Sequence, residues 1–124
     1  MAVTYTTAVK NARLDAVTTA IGTTGVLEIG TTGMSTVLAT IALGNPAAAA
    51  ASGAVLTLAG FPRSDSSADN TGTAAAARIR TASGGTDIIT GLTVGLSAAD
   101  IILDSLSITA GQTVTINSAA ITHA

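Results

Sequence analysis

Apolar positions recur with a helical period only near the start of the chain. In the segment TAVKNARLDAVTTAIG, Leu14, Val17 and Ile21 fall on one helical face, and Val9, Ala12, Ala16 and Ala20 are expected to widen that stripe. Lys10, Asn11, Asp15 and Thr18 then point outward. Thr6 or Thr7 can cap the N-terminus through its hydroxyl, and Gly22 can take the left-handed conformation that ends a helix. The pattern predicts one helix over about residues 7–21.

After Gly22 the period falls to two. Val26-Leu27-Glu28-Ile29 reads as a short strand held between two Gly-Thr-Thr-Gly turns, Gly22–Gly25 and Gly30–Gly33. Val37, Ala39, Ile41 and Leu43 alternate until Gly44-Asn45-Pro46, and Leu56 and Leu58 alternate further on. Ile88, Leu92, Val94 and Leu96 against Gly91, Thr93 and Gly95 read as one half-buried strand. Leu106 and Ile108 oppose Ser105 and Ser107. Val114 and Ile116 take one register while Ala119 and Ile121 need the other, so a bulge is expected near Asn117-Ser118. Ala47–Ala51 follows a proline and is too short for a helix on its own, which favours an extended segment. Pro62–Thr73, PRSDSSADNTGT, reads as an exposed loop. Short strands between regular turns predict a mainly β fold: an antiparallel β-sandwich, jelly-roll-like, with one N-terminal helix, forming a single domain over 1–124.

Composition changes this picture in one respect. Hydrophobic residues make up 48% of the chain but aromatics only 2%, so the core must be built from Ala, Val, Ile and Leu. Small side chains bury little area each, and part of the stability is therefore expected from contacts with other subunits. Charged residues are only 10%, against about 25% in typical domains. No charge occurs between Ile29 and Pro62, which makes this span the expected face of a homo-oligomer. Gly44-Asn45-Pro46 and several threonines interrupt the same span, so it does not read as a membrane helix. The net charge of −2 gives no reason to expect nucleic acid or an anionic membrane as partner. The N-terminus lacks the basic start and apolar run of a signal peptide.

The residues offer little catalytic chemistry. There is no cysteine, which excludes disulfides and thiolate metal sites. The glycine pairs lack the Gly-Lys of a phosphate loop, and the order helix, glycine, strand is not that of a dinucleotide fingerprint. His123 is the one histidine, and its place one residue from the C-terminus favours a solvent-exposed or interface residue over the held imidazole of a catalytic relay. Asp65, Asp69 and Asn70 lack calcium-loop spacing and read as turn chemistry; Asp100 and Asp104 read as strand-edge residues. No enzyme activity, metal or cofactor is expected. The residues best suited to meet a partner are Arg78 and Arg80, which share a face of one strand, together with Arg63, Asp65 and Asp69 of the 62–73 loop.

Three segments carry a resemblance: NARLDAVTTAIG at Asn11–Gly22, DSSADNTGTAAAARI at Asp65–Ile79, and SITAGQTVTINSAAITH at Ser107–His123. They resemble a family of small tailed-bacteriophage virion proteins. The chain departs from that family after Ile29, where Gly30-Thr31-Thr32-Gly33 stands. The resemblance implies a capsid cement or decoration protein that binds the major capsid protein on the capsid exterior, after synthesis in the host cytoplasm. For the homo-oligomer expected from the charge-free span, a trimer is slightly favoured over a dimer, because capsid lattices offer local threefold sites. A tail or head–tail connector component is the alternative within that class. An adhesive or carbohydrate-binding β-module is the alternative outside it, and the scarcity of aromatics speaks against sugar stacking.

Overall fold

The computed structural model describes residues 3–123. Helix α1 runs Thr7–Ile21. The Thr6 hydroxyl accepts a hydrogen bond from the Val9 N–H, and Gly22, at φ 74°, ends the helix as its sequence suggests. Among the described residues eleven strands follow: β1 Val26–Gly30, β2 Val37–Ala42, β3 Val55–Thr57, β4 Arg63–Asp65, β5 Gly72–Thr73, β6 Ala76–Arg80, β7 Asp87–Leu92, β8 Val94–Gly95, β9 Ile101–Leu103, β10 Ser107–Ile108 and β11 Val114–Thr122. The fold is mainly β with a single N-terminal helix, arranged as a sandwich.

The first sheet has the order β2-β1-β6-β7. Its rows Ile41–Leu27–Ile79 and Ala39–Ile29–Ala77 are fully buried and form its core face. The second sheet has the order β3-β11-β9-β8, with β4 also paired to β11, and it contributes Leu56, Ile101, Leu103, Val114, Ile116 and Ala119 to the same core. β5 and β10 form a separate two-stranded ribbon. Pairing is antiparallel throughout except between β8 and β9, which are parallel. The register shift between Ile116 and Ser118 is the expected bulge, and it lets Ile116 and Ala119 both face inward. Ala47–Ala51 is not helical: Ala47 lies in a bend and Ala48 is bridged to Leu58.

Three expectations are corrected. The helix buries Leu14 and Ile21 and half-buries Val17, but Val9, Ala12, Ala16 and Ala20 face solvent. Its docked side instead includes Asn11, whose Oδ1 accepts from the Ala54 N–H at 2.9 Å, and the adjoining Asp15, whose Oδ1 accepts from the Ala51 N–H at 2.8 Å. Polar side chains here satisfy loop backbone that would otherwise lack partners. α1 packs against β3 of one sheet and β7 of the other.

The second correction concerns Ile88–Leu96, which is not one strand. β7 ends after Gly91 turns at φ 73°, and β8 joins the opposite sheet. Asp100 fixes the crossing: its Oδ2 accepts from the Thr93 N–H at 3.0 Å and from the Thr93 hydroxyl at 3.1 Å. Leu96 is left exposed. The third concerns Pro62–Thr73, which contains β4, paired with β11, and β5, paired with β10, and which also hydrogen-bonds to β2.

Candidate functional site

The nominated residues fall into two groups: Arg78 and Arg80 stand on β6 of the first sheet, while Arg63 and Asp65 belong to β4, paired with β11 of the second sheet, and Asp69 follows them. Arg63, Asp65 and Asp69 lie along the outer edge of β2. The Thr40 N–H donates to Asp65 Oδ2 at 3.0 Å, and the Asp69 N–H donates to the Leu38 carbonyl at 2.7 Å. Arg63 Nη1 donates to the Ala42 carbonyl at 3.4 Å, and Asn70 Nδ2 to the Val37 carbonyl at 2.8 Å. These contacts fall on edge donors and acceptors of β2. An open edge is a template for unwanted pairing, and here one loop covers it. Arg63 also donates from Nε to the Ala59 carbonyl, and its guanidinium passes so close to Gly44 and Gly60 that a Cβ on either would collide with it. Asp69 accepts from the Thr40 hydroxyl at 3.3 Å, and Asp65 Oδ1 from the Ser67 N–H at 3.0 Å.

Arg78 and Arg80 do share a face of β6, and the carboxylate they meet belongs to this chain. Glu28, directly opposite Arg78 in the register, is 4% exposed. Arg78 Nε donates to Glu28 Oε1 at 2.6 Å, and Arg80 Nη1 lies 3.8 Å from the same oxygen. Arg80 Nη2 donates to the Gly85 carbonyl at 2.6 Å. Its Nε stands 2.9 Å from Asp87 Oδ1 but is not aligned for a hydrogen bond, so that contact is Coulombic. The four side chains form a charge-balanced row, and the stems of the arginines shield Glu28 from water. Both Nη groups of Arg78 remain without a hydrogen bond among the described residues.

Glu28 is the member of this row that the sequence reading passed over. A lone acid inside a short apolar strand is a usable signal, because a buried carboxylate needs a cationic partner. Asp100 serves the strand crossing described above. Among the described residues no pocket and no cluster of metal-ligating side chains occurs, and no helix is long and apolar enough to cross a membrane. His123 meets the Tyr5 ring edge-on at 6.2 Å between centroids, and Arg13 sits over the same ring at 4.6 Å.

The site is thus a polar, charge-balanced row on the first sheet, with the β2 edge of that sheet covered. The chain matches no known protein family, no curated protein and no solved structure.

Proposed function

We propose that this chain is a noncatalytic phage virion structural protein, a capsid cement or decoration protein that binds the exterior of the major capsid lattice. The observation that carries the reading is where the three resembling segments lie in the fold. Asn11–Gly22 is most of α1 and its stop, Asp65–Ile79 is the edge-covering segment and β6, and Ser107–His123 contains β10 and β11. The likeness therefore sits on the elements that define the architecture, where kinship in fold is expected to reside. The partner is the major capsid protein, and neither nucleic acid, membrane nor cofactor has a part in the reading.

Of the nominated contacts, Arg78 is the best placed to meet a neighbour. Its Nε is held by buried Glu28, while both Nη groups stay available to a carboxylate across the interface. Arg63, Asp65 and Asp69 act first on the β2 edge and would meet the partner through what remains exposed of them. The test is imaging of intact particles from the phage that encodes the chain, with co-sedimentation of purified protein on particles stripped of it. Density on the capsid exterior and saturable rebinding are expected. Density confined to the tail or the connector would reassign the role, and absence from particles would refute it.

A further inference from the structure

The ends of the two sheets are treated unequally. β2 and β7 end the first sheet, and β3 and β8 end the second. The outer side of β2 is covered by the 63–70 segment. The outer side of β3 is flanked by the alanine-rich segment, where Ala48 bridges Leu58 and the Ala59 N–H donates to the Ala47 carbonyl at 2.9 Å. β8 is two residues long. β7 is different: six residues, Asp87–Leu92, paired with β6 alone. Among the described residues no loop, turn or side-chain hydrogen bond reaches its backbone.

β7 carries no lysine, no proline and no unpaired charge, three of the usual deterrents to pairing; irregular register is the one deterrent it does have. Its sequence is DIITGL, and its one charge, Asp87, is already engaged by Arg80 at 2.9 Å. Ile88 and Ile89 are half-buried, while Thr90 and Gly91 are exposed. Two register shifts against β6 and the turn at Gly91 limit the straight stretch to a few residues.

We propose that β7 is a homodimerisation edge, on which β7 of a second copy adds antiparallel and joins two four-stranded sheets into one continuous sheet. Closure argues for a second copy as the occupant. The joined sheet would run from one β2 to the other, and both of those outer edges are already covered, so the contact completes itself and cannot propagate. An antiparallel arrangement also sets the two Asp87 side chains at opposite ends, so like charges do not oppose one another. Main-chain hydrogen bonds supply the affinity, as in other strand additions. The pair is two-fold, unlike the trimer that lattice symmetry leads one to expect, and it needs no capsid to form.

Sedimentation velocity of the full chain from micromolar to submillimolar concentration tests this. Mass is expected to rise from 11.9 kDa toward twice that value. Amide hydrogen exchange in Ile88–Gly91 should slow as concentration rises, while exchange in β2 stays constant. Thr90→Lys places a charge at an exposed edge position and is expected to weaken association at least about tenfold, with circular dichroism and melting unchanged. A monomer at every concentration overturns the proposal, as does a dimer whose protection lies outside β7. Protection of β7 only when particles are added would give the edge to a capsid strand, and that too overturns self-pairing.

Discussion

Replacing Glu28 by glutamine removes one charge and almost no volume. The carboxylate is 4% exposed and takes a 2.6 Å hydrogen bond from Arg78, with Arg80 3.8 Å away. Unit charges about 4 Å apart attract by about 4 kcal/mol at an effective dielectric near 20. The cost of burying the carboxylate cancels part of that gain, and the glutamine carbonyl can still accept from Arg78. Breaking a fully buried pair typically costs about 3–5 kcal/mol. The arginine side chains keep 20% and 21% exposure, so water relieves some of the loss. The net expectation for Glu28→Gln is a loss of about 2–3 kcal/mol. For a chain of this size each kcal/mol shifts the melting point by roughly 3–5 °C, so the variant should melt about 6–15 °C lower. Urea unfolding of wild type, Glu28→Gln, Arg78→Ala and the double variant closes a cycle, and a coupling of about 1–2 kcal/mol is expected between the two sites. A Glu28→Gln variant within about 0.5 kcal/mol of wild type, with no coupling to Arg78, would refute the reasoning and leave the charged row as a mere covering.

Two further outcomes follow from the same physics. Asp65→Ala removes the acceptor of the Thr40 and Ser67 N–H groups, each at 3.0 Å; a loss of about 1.5–3 kcal/mol in urea unfolding is expected, and light scattering should show faster aggregation because the β2 edge opens. Ala54 adopts φ 62° in the turn before β3, where a Cβ is strained by about 1–2 kcal/mol; Ala54→Gly should raise the unfolding midpoint, with a net gain of roughly 0.5–1 kcal/mol after glycine's entropy cost.

What could be read in the sequence was local. Thr6 and Gly22 mark the helix ends because capping acts over one turn, and the switch of alternation at Asn117-Ser118 marks the bulge because register is a property of one strand. Most of the misreadings turn on side-chain partners that no single strand or helix contains. The break at Thr93 depends on Asp100 across a turn, the sealed edge joins Thr40 to Asp65, and the charged row joins Glu28 to Arg78. Helical spacing found Leu14 and Ile21, but alanine fits either face, so Ala12, Ala16 and Ala20 gave no information about which side would dock. For the same reason Arg78 and Arg80 could be placed on one face without knowing that an acid waited beside them.

β11 pairs with β3, β4 and β9, all of which precede it in the chain. During synthesis those three strands leave the ribosome before the strand that unites them. Leu56 and Leu103, both buried in the finished sheet, have no β11 to pack beside until Val114–Thr122 has emerged. The first sheet can assemble earlier, since β1, β2, β6 and β7 are complete by Leu92. Folding is thereby divided in time, with one half able to form on the growing chain and the other closing around its latest strand. A chain released short of Val114 would lack the strand that joins β3, β4 and β9, and the inner residues of the second sheet would stay uncovered.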